Sequence, residues 1–85
     1  MKQKKNKNWE QAKKIILGGN SLLSKRPEMY LPSFWPTYFS KASGVHVWDT
    51  GGKKYTDMIF AVGQNTLGYS NKKVDTKVKN FISKG

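Results

Sequence analysis

The amino-acid sequence predicts an α+β fold: a short N-terminal helix, an aromatic and proline-rich arm, a small antiparallel β-hairpin or three-stranded meander, and a C-terminal helix. Three observations lead to this prediction. Apolar residues recur at spacings of three and four near both ends of the chain, which is the period of an amphipathic helix. The centre carries β-branched and aromatic residues around two adjacent glycines, as in strands joined by a turn. Three prolines interrupt the segment between the first helix and the sheet.

The first helix is predicted over residues 8–17, because Trp9, Ala12, Ile15 and Ile16 share one face. Gly18-Gly19 follow at the place of a C-terminal cap. Residues 1–8 are almost entirely polar and are predicted to form a disordered basic leader. A helix this short is unstable alone in water, so it is expected to dock on another surface.

The arm covers residues 20–37 and has no clear period. Its prolines push the residues before them toward extended backbone. It is nevertheless rich in large apolar side chains, which are rarely left in water, so we expect it to lie across another surface. These side chains are Tyr30, Leu31, Phe34, Trp35 and, just beyond, Tyr38 and Phe39.

Strands are predicted at about residues 37–42, 45–49 and 54–60. Between the last two, Gly51-Gly52 favour a turn, and the Asp49 side chain is suited to hydrogen-bond the backbone that follows it. A glycine-containing loop is predicted over residues 61–70. The second helix is predicted over residues 71–83, capped by Ser70 or Asn71, with one apolar stripe: Val74, Val78, Phe81 and Ile82.

Length and composition limit what the chain can do. Its 85 residues allow one small domain at most, and no cysteine is present for disulfides, zinc ribbons or thiol chemistry. The lone His46 lacks partners at metal-ligand spacing, so neither a metal site nor a catalytic residue is predicted. No signal peptide or membrane span is visible, and a cytoplasmic location without membrane association is expected.

The formal net charge is +11, and most of the lysines lie near the two ends of the chain. Such charge is usually a solvated tail or helix face. A small basic nucleic-acid-binding module is the alternative interpretation, since aromatic rings near lysines can stack on bases. Nucleic acid is the less favoured partner, because the aromatic residues cluster with prolines while the lysines lie mostly elsewhere.

An ordered set of residues runs through the sheet and the loop after it: Gly44, Val47-Trp48-Asp49, Gly51-Gly52-Lys53, Tyr55, Asp57, Gly63 and Leu67-Gly68. The set resembles the opening of the class III pyridoxal-phosphate aminotransferases. Upstream, Gly18-Gly19-Asn20-Ser21 resembles the entry of their glutamate-1-semialdehyde aminomutase branch. Family members are several times longer, so the resemblance implies that residues 9–85 are an N-terminal fragment of a fold type I aminotransferase.

The chain departs from the family pattern at several positions. Val62 stands where the aminomutase branch often has an aromatic residue, and Ser24 where it has an arginine. Tyr69 and Lys72 replace a usual histidine and proline, and Gly51 a usual aspartate. A related aminotransferase that acts on another substrate therefore remains an alternative to an aminomutase.

The resemblance implies what the segment contributes. In the family, this region wraps the smaller domain, reaches toward the second subunit of a homodimer and lines part of the substrate entrance. The candidates for contact with a small-molecule amino donor or acceptor are Ser21, Val62, Gly63, Gln64 and Asn65. Pyridoxal phosphate would be the cofactor of the full-length enzyme. The lysines here lie in solvated runs and at a turn, so the chain alone is expected neither to bind the cofactor nor to transaminate.

Overall fold

The computed structural model describes residues 6–31, 34–63 and 65–85. The chain divides into two units, Met1–Tyr38 and Phe39–Gly85. The first unit contains helix α1, Lys7–Ile15. The second contains strands β1, Phe39–Ser43, β2, His46–Asp49, and β3, Lys54–Thr56, followed by helix α2, Lys72–Ile82. The α+β class is therefore confirmed.

Helix α1 begins where the Asn6 side chain accepts hydrogen bonds from the backbone amides of Asn8 and Trp9, at 3.0 and 3.3 Å. This cap makes residues 7 and 8 helical, so the predicted disorder of the leader is wrong for them. Residues 1–5 lie outside the described residues. The helix ends at Ile15, before the predicted residue 17, because Ile16 already has extended backbone ahead of the glycine pair.

Trp9 is the buried centre of the first unit, with 6% of its surface exposed. Gly19 packs on its ring so closely that a β-carbon there would lie 2.4 Å from Trp9 Cη2. The indole Nε1 donates a hydrogen bond of 2.7 Å to Glu28 Oε1. This bond is the main cause that lowers the pKa of the Glu28 carboxyl. Helix α1 is thus tied both to the glycine turn and to the arm.

The arm is more ordered than an extended chain. It contains two short 3₁₀ turns, Leu23–Lys25 and Pro27–Met29. Proline suits the first position of such a turn, where its missing N–H costs no hydrogen bond. Tyr30 and Trp35 stack with ring centroids 4.1 Å apart. Pro32, which also supported the prediction of an extended arm, lies outside the described residues.

The sheet is a three-stranded antiparallel meander in the order β1-β2-β3. Val47 lies opposite Ala42 on one side and Tyr55 on the other, and it is 7% exposed. An irregularity between Phe39 and Lys41 shifts the register of β1. The first strand begins at residue 39 rather than 37. The third strand ends at Thr56 rather than at residue 60. The next side chain, Asp57, accepts hydrogen bonds from the Ile59 and Phe60 amides and so turns the backbone.

Helix α2 begins after Asn71, whose side chain accepts hydrogen bonds from the amides of Lys73 and Val74, at 3.1 and 3.2 Å. Of the two predicted caps, the structure uses Asn71. The predicted apolar stripe is solvent-exposed, with Phe81 at 69% and Ile82 at 72%. Within the described ranges, neither helix is long and apolar enough to cross a membrane.

Candidate functional site

The candidate site is the loop of residues 58–68, whose two ends meet at the turn between β1 and β2. At its start, the Asp57 amide donates to the Val45 carbonyl oxygen at 2.8 Å. At its end, Tyr69 and Gly44 exchange two backbone hydrogen bonds of 2.9 Å each, which form an isolated bridge. The loop is therefore closed at its base by main-chain hydrogen bonds. Closed surface loops of this kind frequently carry function.

The Asp57 carboxylate joins the start of the loop to its end. Its Oδ1 accepts hydrogen bonds from the amides of Ile59 and Phe60, at 2.8 and 3.2 Å. Its Oδ2 accepts a 2.5 Å hydrogen bond from the Tyr69 hydroxyl. This bond is the main cause that raises the pKa of the Tyr69 phenol, and burial adds to the effect.

The middle of the loop has left-handed backbone at four successive residues. The φ angles of Phe60, Ala61, Val62 and Gly63 are 53°, 48°, 61° and 92°. Only glycine adopts this region without cost, whereas other residues lose roughly 1–2 kcal/mol each. Such backbone persists only where the surroundings impose it, and it concentrates at functional sites.

A second turn completes the loop. The Asn65 amide donates to the Phe60 carbonyl oxygen at 3.3 Å, and the Thr66 hydroxyl donates to that of Gly63 at 3.0 Å. Gly68, with φ of 82°, then brings the chain back against Gly44. A β-carbon at Gly68 would lie 3.1 Å from the Gly44 carbonyl oxygen. Glycine is therefore favoured by the positive φ, and a β-carbon at this position would be crowded by the Gly44 carbonyl oxygen.

The structure places three of the predicted contact residues in this loop. Val62 and Gly63 are exposed at its left-handed turn, with Val62 at 75%. Asn65 is half-buried, and its side-chain Nδ2 makes no hydrogen bond to any described group. The Asn65 side chain nevertheless lies near enough to the Tyr69 phenol to oppose the rise in the pKa of Tyr69. Gln64 lies outside the described residues. Ser21 is exposed in the first unit, after the glycine pair.

Asp49 is the turn residue that the sequence predicted. Its Oδ1 accepts hydrogen bonds of 2.9 Å from the amides of Gly51 and Lys53, and its Oδ2 accepts one of 3.0 Å from the Tyr55 hydroxyl. The Lys53 amide is the main cause that lowers the pKa of the Asp49 carboxyl. All three partners belong to the hairpin, so Asp49 has a structural task there.

Sequence reasoning missed the pairing of Asp57 with Tyr69. The two residues are 12 positions apart, so no local pattern joins them. The available signal was the glycine before Tyr69, which indicates a tight return of the chain. The parts of the chain that the structure describes contain no group of three or more histidine, aspartate and glutamate side chains suited to a metal ion.

Comparisons with known proteins place this geometry in context. No family model matches the chain. A 3-aminobutyryl-CoA aminotransferase of Cloacimonas acidaminovorans is 32% identical over 74 residues, which cover 87% of this chain and 18% of the relative. A glutamate-1-semialdehyde 2,1-aminomutase of Methanobrevibacter smithii is 35% identical over 77 residues, which cover 91% of this chain and 17% of the relative. The chain thus spans less than a fifth of the length of these relatives.

A solved structure shares the fold. The FumI protein of Sphingopyxis sp. MTA144, in its pyridoxal-phosphate internal aldimine form, matches with a TM-score of 0.72 and 27% sequence identity. The match covers 88% of this chain and 18% of that protein. These similarities do not favour the nucleic-acid-binding alternative, since the two curated relatives are an aminotransferase and an aminomutase.

Proposed function

We propose that this chain, which is related to the class III pyridoxal-phosphate aminotransferases, forms an N-terminal portion of such an enzyme and lines its substrate entrance. The observation that carries the proposal is the loop of residues 58–68. It combines left-handed backbone, two anchored ends and an exposed tip. That combination favours a surface shaped to meet a ligand.

The proposed contacts with a small-molecule amino donor or acceptor come from Ser21, Val62, Gly63, Gln64 and Asn65. Val62 and Gly63 support this role by their exposure at the loop tip. The Asn65 side chain supports it because its Nδ2 makes no hydrogen bond among the described residues and is therefore suited to an acceptor supplied from elsewhere. Ser21 offers an exposed hydroxyl.

The residues present do not fit pyridoxal phosphate itself. The cofactor needs a lysine whose surroundings lower its pKa, a carboxylate at the pyridinium nitrogen and a cradle for the phosphate. Among the described lysines, Lys25 is half-buried and the others are exposed. An exposed groove on α2 contains lysines but no carboxylate; its lining is Lys72, Lys73, Thr76, Lys77 and Asn80. We therefore assign cofactor chemistry to other parts of the enzyme.

The exposed apolar side chains suit a segment that is covered by other parts of a larger protein. The stripe of α2 and the segment just after α1 expose large side chains, among them Leu17 at 98%. Burying such side chains is worth about 1.5–3 kcal/mol each. We propose that the remainder of the aminotransferase and a second subunit of a homodimer cover them.

A chimeric enzyme tests the proposal. The matching 77 residues of the Methanobrevibacter smithii aminomutase are replaced with those of this chain. We expect the chimera to fold, to retain pyridoxal phosphate through gel filtration and to convert glutamate-1-semialdehyde with an altered KM.

The matched control is a second chimera whose residues 58–68 come from the aminomutase. It is expected to recover the parental KM, because only the entrance loop has been restored. Equal KM values for the two chimeras would contradict the entrance role. A folded chimera that loses the cofactor would contradict the assignment of the segment to this enzyme class.

A further inference from the structure

We propose that Asp57 and Tyr69 are positioning residues, which hold the loop of residues 58–68 in the conformation that meets substrate. The inference rests on the entrance role proposed above for that loop. Neither side chain needs to touch the substrate. Their effect passes through the backbone that presents Val62, Gly63 and Asn65.

Asp57 is held firmly in place by a backbone hydrogen bond. Its backbone amide is hydrogen-bonded to the Val45 carbonyl oxygen at 2.8 Å, so its α-carbon is held at the turn between β1 and β2. From there, one carboxylate oxygen accepts the amides of Ile59 and Phe60. The aspartate thus sets the direction in which the chain enters the left-handed turn.

Tyr69 is held in the same way at the end of the loop. The two backbone hydrogen bonds with Gly44 fix this residue on the same turn that holds Asp57. Its phenol is partly buried and reaches the second carboxylate oxygen. Hydrogen bonds to a charged group are stronger than those between neutral groups. The phenol therefore connects the exit of the loop to its entry, across 12 residues of sequence.

The hydrogen bond between Tyr69 and Asp57 acts on the loop tip through the backbone of Phe60. Left-handed backbone at Phe60, Ala61 and Val62 is intrinsically unfavourable, so a released loop would leave it. The Phe60 amide, at the first of these residues, is itself held by Asp57. Weakening the carboxylate's link to Tyr69 should loosen the hold at the point where the strained turn begins.

Hydrogen exchange in the 85-residue chain tests the positioning directly. In Y69F, which keeps the ring and removes the hydroxyl, the Ile59 and Phe60 amides should exchange roughly 2- to 10-fold faster, as expected for the loss of one hydrogen bond. The Gly51 and Lys53 amides, held by Asp49, should not change.

Y55F is a matched control, because it removes the equivalent hydroxyl that Tyr55 donates to Asp49. It should speed exchange at Gly51 and Lys53 and leave Ile59 and Phe60 unchanged. The proposal is overturned if Y69F leaves the Ile59 and Phe60 amides as they were, or if both variants speed all four amides equally.

A second variant, D57N, tests the same connection from the carboxylate side without changing Tyr69, and the double variant D57N/Y69F completes a mutant cycle. D57N retains an oxygen for the two amides but loses the charged acceptor of the phenol. If the residues act together, D57N and the double variant D57N/Y69F should show similar exchange at Phe60. Fully additive effects would overturn the proposal.

The chimeric aminomutase supplies a readout that a structural role alone would not move. There, Y69F should raise KM about 3- to 10-fold while kcat and cofactor retention stay near the values of the chimera. Y55F should leave KM unchanged. If the entrance role is wrong, the loop swap leaves KM constant even though exchange responds to Y69F. If only the positioning is wrong, the loop swap changes KM and Y69F changes neither KM nor exchange.

Discussion

Two aspartates in this chain perform the same task at different ranges. Asp49 and Asp57 each accept two backbone amides on one oxygen and a tyrosine hydroxyl on the other. The first was predictable, because its partners follow within six residues and a turn needs such a side chain. The second depends on Tyr69, which only the folded chain brings to it.

The hairpin should lose its Asp49 contribution in acid. Since hydrogen bonds hold the pKa of this carboxyl below its ordinary value, the stability they add is present above the ordinary pKa of about 3.9 and is lost as pH falls through the lowered value. We expect the Lys53 amide resonance to titrate below about pH 4 by NMR. D49N should abolish this titration, and D75N, on the exposed face of α2, should not.

Substitution of Gly68 should be more destabilising than substitution of Gly52, although the two residues have similar φ angles. Their φ angles are 82° and 87°, but only a β-carbon at Gly68 would crowd the Gly44 carbonyl oxygen, at 3.1 Å. We expect G52A to cost about 1 kcal/mol and G68A about 2 kcal/mol of local stability. The comparison uses amide exchange at Asp49 for G52A and at Gly44 and Tyr69 for G68A. Equal stability losses in G52A and G68A would show that the Gly44 carbonyl moves aside without an energetic cost.

At the scale of elements, periodicity predicted both helices and turn chemistry predicted the hairpin. The boundaries were decided by single side chains. Asn6 starts α1 earlier than the apolar pattern does, and Asp57 ends β3 early by turning the backbone. The 3₁₀ turn at Pro27–Met29 was missed, because proline spacing was interpreted as extended chain although proline also begins a helical turn.

The cap of α2 offers a test at this scale. N71A removes the side chain that accepts the Lys73 and Val74 amides, and it should reduce helix stability by about 1 kcal/mol. N80A, on the same helix, should instead leave helicity unchanged or slightly raise it, because alanine favours the helix interior. Circular dichroism of the two variants provides the measurement. A similar loss in both would mean that the cap is not the cause.

The described part of the chain buries few large apolar side chains. Trp9 and Val47 are the buried members of the described hydrophobic set, one in each unit, while the stripe of α2 and the Ile15 and Ile16 part of the predicted α1 stripe remain exposed. A small domain without disulfides needs a well-filled core. The exposed stripes are therefore consistent with a segment that completes its packing against more protein, as we propose for the full aminotransferase.

The isolated chain should form no specific adduct with pyridoxal phosphate. After incubation with the cofactor and reduction by borohydride, peptide mapping by mass spectrometry should find scattered modification among exposed lysines, far below one cofactor per chain. A chain first unfolded in urea provides the control and should give a similar pattern. One lysine modified near stoichiometrically, and only in the folded chain, would contradict our assignment of cofactor chemistry to other parts of the enzyme.

The sequence by itself determined the elements of this protein and its likeness to an aminotransferase opening. Helix period, glycine turns and the turn formed by Asp49 each depend on residues a few positions apart, so they can be recognised in the sequence. The tertiary structure alone decided how the loop of residues 58–68 is held. Its closure by Gly44, Asp57 and Tyr69, and the left-handed backbone inside it, depend on contacts between residues distant in sequence. Such contacts overcome local backbone preference, and local preference is all that a stretch of sequence directly reports.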